Sequence, residues 1–176
     1  MPSSHWGLLA VNHEYTEEPM MFPSYNAAAP TRNEVDIGLA AHGASIVEVW
    51  FNFARGWEYN TMSPFNRRIT GDTEAQLTGP AAGHEWLKTT AEPTGTVVRG
   101  MLNNCAGGKT PWGTLLTAEE NFNQYFGNMN ALPSSDSRRA IHARYGLTGT
   151  ASSRRWELYH DRHRAKWPSR RLFRRR

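Results

Sequence analysis

Glycine, proline and asparagine interrupt every apolar run of this chain within a few residues, so no stretch sustains the face a long helix would bury. The breaks include Pro30, Gly43, Gly79-Pro80, Gly83, Gly95 and Gly107-Gly108. Glycine opens backbone conformations closed to other residues and proline lacks an amide donor, so both punctuate regular structure rather than extend it. Between the breaks lie short runs at 6–11 (WGLLAV), 45–51 (SIVEVWF), 96–102 (TVVRGML) and 114–117 (TLLT). Their β-branched, aromatic and aliphatic residues suit a pleated, half-buried surface, and the four runs are predicted strands. Residues 136–145 are predicted to form the one short helix, with Asp136 as N-cap and Gly146 as the stop. The expectation is an all-β or β-rich chain with irregular loops. No repeat of fixed period marks the sequence, so internal symmetry by itself does not indicate a propeller.

A chain of 176 residues has room for one ordinary domain. Its single cysteine, Cys105, excludes an internal disulfide framework and leaves a buried small residue, a reactive thiol or a metal ligand. The amino terminus lacks the cationic start, apolar centre and small-residue cleavage site of a signal peptide. No apolar run approaches the roughly 20 residues of a membrane helix. Charge is unevenly placed. Residues 154–176 hold ten Arg or Lys against Glu157 and Asp161, a net +8, so the other residues carry −4 of the overall +4. A segment so rich in arginine and poor in aliphatics cannot offset chain entropy by burial, and residues 151–176 are expected to form a disordered basic tail.

Several groupings could carry chemistry. "GGKT" at 107–110 does not meet the phosphate-loop pattern: Asn103 stands where its first glycine belongs, and Pro111-Trp-Gly113 is a poor helix opening. Glu119 and Glu120 follow the predicted strand at 114–117. Adjacent residues on an extended chain face opposite ways, so only one can readily share a site with Cys105, leaving the other to fix backbone. A glycine-rich turn returning the thiol over a carboxylate would make a mixed sulfur–oxygen metal site, for which thiolate suits iron and carboxylate also suits calcium. A buried cysteine beside a solvated acidic pair fits the same spacing. Asn12-His13-Glu14 places three potential ligands or hydrogen-bonding groups at the end of the first strand, where polar residues are also common without function. His84, among small residues in GPAAGHEW, could meet phosphate or metal, or be satisfied by backbone. Asn66-Arg67-Arg68 could grip a phosphate through a guanidinium, or form a solvated turn.

Taken in order, the segments LLAVNHEYTEEPMMFP, AAHGASIVEV, SPFNRRIT, TGPAAGHEWLKT, NNCAGGKTPWGTLLTAEENFNQYF and RYGL resemble the PhoX-type alkaline phosphatases, from about Trp6 to about Gly146. The resemblance implies a partial β-propeller of few blades over residues 1–150 and hydrolysis of phosphate monoesters with an iron–calcium cofactor. It matches Cys105 to the family's iron-bridging cysteine and the EEN segment to Glu119 and Glu120, with Glu120 favoured as a ligand and Glu14 added to the metal set. Asn104, Arg67 and His84 fall in family motifs as substrate-binding candidates, and no residue is assigned as the catalytic nucleophile. The family is exported, to the periplasm or beyond, whereas this chain shows no signal peptide. The basic tail departs from the family pattern, so a partial chain, truncated or frameshifted, is expected. Such a chain would be inactive or weakly active alone, its ring completed by the missing remainder of the propeller. Two other classes remain open: a non-catalytic β-rich interaction fragment, and a nucleic-acid binder using the basic tail with Trp156, Tyr159 and Trp167 for stacking.

Overall fold

The computed structural model describes residues 4–89, 92–147 and 149–163. It is β-rich, and the chain divides into two compact units, each assembled from separated segments. The first comprises Met1–Thr16, Leu39–Thr73 and Gly100–Glu120; the second comprises Glu17–Gly38, Glu74–Arg99 and Asn121–Arg176.

The first unit is built on a four-stranded antiparallel sheet. Strand β1 (Trp6–His13) pairs along its whole length with β2 (Gly43–Asn52), from Trp6 opposite Trp50 to His13 opposite Gly43. The far edge of β2 is shared by β3 (Gly56–Tyr59) and β4 (Arg67–Ile69). Gly43 starts β2 at a φ of +109°, and a Cβ there would stand 2.1 Å from the Ile69 carbonyl oxygen, so no other residue fits. Two further strands form a separate hairpin in this unit, β7 (Asn104–Lys109) with β8 (Leu115–Glu119). The expected strands at 6–11, 45–51 and 114–117 correspond to β1, β2 and β8. By contrast, the glycine-rich stretch read as a turn around Cys105 is strand β7.

Helix α2 (Arg32–Ala41) was missed by sequence periodicity, although its start is encoded. The Thr31 hydroxyl accepts from the Glu34 amide, while the Glu34 carboxylate accepts from the Thr31 amide at 2.6 Å. This reciprocal capping box satisfies amides that the first turn leaves without partners. At the other end Arg68 donates to the carbonyls of Ala40 and Ala41, at 3.0 and 2.8 Å, closing the helix.

The second unit contains α1 (Glu18–Met21), the short ladder of β5 (Glu74–Gln76) with β6 (Val97–Arg99), and α3 (Arg138–Arg144). The segment predicted as a strand at 96–102 supplies only β6, and the predicted helix at 136–145 is α3. Tyr125 and Trp156 are almost fully buried, their rings 4.8 Å apart, and His163 stands edge-on to Trp156 at 5.1 Å. Glu18 is bound through both carboxylate oxygens by Arg154 at 2.7 Å. Residues 151–163, expected to be disordered, are thus folded, because aromatic rings rather than aliphatics supply their buried surface. Of the tail rings named for base stacking, Trp156 is core and closed to it, whereas Tyr159 is 37% exposed with its hydroxyl donating to the Pro30 carbonyl at 2.9 Å. The rest of the expected tail, 164–176 with Trp167, lies outside the described residues.

Candidate functional site

The ladder between β7 and β8 contains one irregularity, and Cys105 occupies it. Asn104 stands opposite Glu119 and Ala106 opposite Ala118, which leaves Cys105 as the extra residue of a β-bulge. A bulged residue drops out of the alternating ladder and can be aimed independently of its neighbours. Asn12, at the end of β1, holds the distortion in place. Its amide nitrogen donates to the carbonyls of Cys105 and Ala106, at 3.2 and 3.4 Å, and its oxygen accepts from the Thr117 hydroxyl at 3.0 Å.

The exposed thiol meets two carboxylates. A hydrogen bond to Glu120 and the negative charge of that residue are the main reasons its pKa lies above the usual thiol value; the charge of Glu14 adds to them. Cys105 is therefore held as a protonated donor toward carboxylates, a poor state for a nucleophile. A cation among these three groups would reverse that balance by stabilising the thiolate.

The acidic pair separates as extended geometry requires. Glu120 turns to the thiol, whereas Glu119 accepts the Leu102 amide hydrogen at 2.8 Å. Packing around the Glu119 carboxyl raises its pKa, opposed by that amide, even though the residue as a whole keeps exposed surface. Asn12-His13-Glu14 divides in the same manner. Asn12 fixes the bulge and Glu14 faces the thiol. His13 bonds to the Ser45 hydroxyl at 2.8 Å, and burial together with the charge of Arg68 lowers its pKa.

Asn103 is the residue that sequence reasoning missed. It is fully buried and adopts a left-handed backbone with φ of +52°, a conformation asparagine tolerates better than most residues. Its carbonyl accepts from the Glu120 amide at 2.9 Å, and its side-chain nitrogen donates to the Glu14 carbonyl at 3.3 Å. One residue thereby ties together the backbones that carry both carboxylates. The Asn-Asn pair before Cys105 was the available signal, since asparagine commonly ends a loop in this conformation.

The other candidates have different surroundings. Asn104 is buried, donates to the Thr117 hydroxyl at 3.2 Å, and has a side-chain oxygen with no hydrogen-bond donor among the described residues. Arg67 is exposed on β4 in register with Ile46. His84 belongs to the second unit, where its amide donates to the Ala81 carbonyl in an exposed turn before a short 3-10 helix, Glu85–Leu87. Among the described residues, no three His, Cys, Asp or Glu side chains gather closely enough to hold a metal ion by themselves. Cys105 nevertheless interacts through its thiol with both Glu120 and Glu14.

Comparison with known proteins agrees with this β-rich fold. Residues 2–167 match the family described as alkaline phosphatase PhoX, and the chain belongs to that family. Among solved structures it is similar to Pseudomonas fluorescens PhoX in complex with vanadate, a transition state analogue, with 38% identity and a TM-score of 0.80. That alignment covers 92% of this chain and 27% of the relative, so the chain spans about a quarter of the length of the protein it matches. No curated protein matches it.

Proposed function

We propose that this chain carries one part of the metal centre of a phosphate-monoester hydrolase, with Cys105, Glu120 and Glu14 as its contribution to the ligand set. The observation that carries this reading is the convergence of two carboxylates on a thiol placed by a β-bulge. The donors fit the chemistry of a mixed iron–calcium group: thiolate and carboxylate for iron, carboxylate oxygen for calcium. The buried Asn104 oxygen is a further neutral donor beside them in sequence. Three donors are fewer than either ion takes, so the shell would be completed by parts of a PhoX-type fold that this chain does not match. Glu119, expected among the ligands, is better placed as an anchor, since one of its oxygens is engaged by Leu102.

Bound iron and calcium would supply Lewis-acid charge that neutralises phosphate oxygens during in-line displacement at phosphorus. The chain's own residues do the positioning. Asn12 and Thr117 lock the bulge, Asn103 ties together the backbone segments that carry the two carboxylates, and Cys105 would hold the metal as a thiolate. Arg67 is assigned to phosphate oxygens, for which an exposed guanidinium is suited. Asn104 and His84 are kept as further substrate-binding candidates. The architecture proposed is a partial β-propeller, inactive or weakly active on its own.

The test is iron and calcium content per purified chain, by elemental mass spectrometry, beside Cys105→Ser and Glu120→Gln variants. Iron retained by the wild type and lost in both variants supports a partial centre assembled here. Iron absent from all three, or equal in all three, sinks the assignment.

A further inference from the structure

Strand β1 is an edge of its sheet, and its outward side can be read residue by residue. The Phe51 amide donates to the His5 carbonyl at 2.8 Å, which continues the β1–β2 register one step beyond Trp6 and Trp50. Bonded and non-bonded pairs alternate in an antiparallel ladder, so the backbones of Trp6, Leu8, Ala10 and Asn12 point away from β2. The opposing strand agrees: the carbonyl of Glu48, across from Leu8, accepts from the Asn60 amide at 3.1 Å on the β3 side. Beyond Ala10 this edge is taken up, since the Asn12 side chain carries the β7–β8 hairpin and the Glu14 carbonyl accepts from Asn103. From Trp6 to Ala10 the outward backbone groups have no strand partner among the described residues.

Side chains on both faces of this stretch lack lateral neighbours as well. Trp6 and Leu8 point to one face and Leu9 to the other, and they are 47%, 43% and 50% exposed. Exposed apolar edges are normally blunted by charge, proline or a bulge, and residues 6–10 (WGLLA) contain none of these. Trp6 is already held in place. Its indole nitrogen donates to Glu48 at 2.6 Å and its ring stands edge-on to Phe65 at 6.3 Å, so a neighbour seated against it costs little further ordering.

We propose that this edge pairs antiparallel with the same edge of a second copy of the chain, about a two-fold axis at Leu8. That register sets Trp6 opposite Ala10 of the second copy, Gly7 opposite Leu9 and Leu8 opposite Leu8. Each large side chain meets a small one, except at the axis, where two leucines pack together. About six backbone hydrogen bonds form, and the four-stranded sheet is doubled. Moving the axis to Leu9 would draw in Asn12, which is committed to the hairpin. The contact is isologous and closes at two copies. An aromatic side chain buries roughly 150–250 Å² in full, so the half-exposed Trp6, Leu8 and Leu9 of two copies offer on the order of 600 Å². Stable complexes bury about 1,200 Å² or more, so ladder bonds carry much of this affinity, as in strand addition generally. The dimer is therefore reversible, with a dissociation constant of about 10–100 µM.

The test is sedimentation equilibrium of the full chain from about 1 to 300 µM, a range that brackets that constant. The weight-average mass should rise from 19.9 kDa toward twice that value and stop there. Leu8→Lys and Leu8→Glu each put like charges across the axis and should stay single throughout, whereas an equal mixture of the two should form the dimer again. Amide exchange followed by NMR needs no variant. From dilute to concentrated solution the amides of Trp6, Leu8 and Ala10 should slow about fivefold or more, while those of Gly7 and Leu9, which face β2, should not change. A wild-type mass that stays at one chain, or climbs past two, overturns the proposal whether or not the variants fold. So does a dimer that survives Leu8→Lys, a mixture that does not restore it, or slowed exchange that misses these three amides.

Discussion

Replacing Asn103 with alanine tests how the site is held together, because it attacks the clamp and none of the charged groups. Two contributions disappear at once. The side-chain bond to the Glu14 carbonyl, 3.3 Å long, is worth about 0.5–1 kcal/mol net. Holding alanine at a φ of +52°, where asparagine is tolerated, costs about 1 kcal/mol more. The space left at a fully buried position adds about 1 kcal/mol, giving a loss of about 2–3 kcal/mol in total. Asn103→Gly separates the contributions, since glycine escapes the backbone strain but still loses the bond and the packing; it should be about 1 kcal/mol less damaging than alanine. Urea denaturation followed by tryptophan fluorescence gives the order: wild type, then glycine, then alanine. Iodoacetamide labelling of Cys105 at fixed mildly alkaline pH gives a second readout. Carboxylates released from the clamp would raise the thiol pKa less, so labelling should quicken in both variants. An alanine variant within about 0.5 kcal/mol of wild type, or more stable than the glycine variant, would refute the reasoning.

Three other expectations can be checked with simple variants. Glu120→Gln removes the main cause of the raised Cys105 pKa, so alkylation should accelerate; an unchanged rate means the thiol does not sense that carboxylate. Arg154→Ala leaves Glu18 buried with its two-oxygen partner gone and should cost about 3 kcal/mol by denaturant titration, with Glu18→Gln in the same background recovering part of it. Asp136 is lowered from 3.8 to about 2, chiefly by the hydrogen bond from the Arg138 guanidinium. A depressed carboxyl pKa stabilises above its unfolded value, so about 1–2 kcal/mol present at neutral pH should fade between about pH 4 and 2. Asp136→Asn should remove that part of the acid transition, and an identical acid profile would show that the pair contributes nothing.

The parts of the fold that were legible in sequence are those where one rule acts alone. Strands β1 and β2 are dense in β-branched and aromatic residues and end at clear breaks, so composition placed them closely. Strand β7 defied the same rule, because Asn104-Cys-Ala-Gly-Gly-Lys109 has almost no strand propensity and is held by its pairing with β8 and by Asn12. Helix α2 was written in a capping box, not in a long apolar face, and a search for periodicity passes over it. At the site, the divergence of Glu119 and Glu120 followed from strand geometry, and the nearness of Cys105 to acidic groups came through resemblance to the family. The clamp formed by Asn103 could not be read, because its two partners lie far apart in the chain and meet only after the sheet and hairpin have formed.

The bulge at Cys105 has a consequence for how this site tolerates change in length. A single-residue deletion within β7 would let the strand regain a regular ladder against β8, with every backbone bond of the hairpin still made. Such a chain could keep its sheet while turning the thiol away from both acids. Selection for folding alone would therefore favour mending the irregularity, and only the use of the thiol would retain it. A homologue that has lost this one residue, and not one that has merely exchanged side chains around it, would be the clearest mark of a lineage in which the chemistry has been given up.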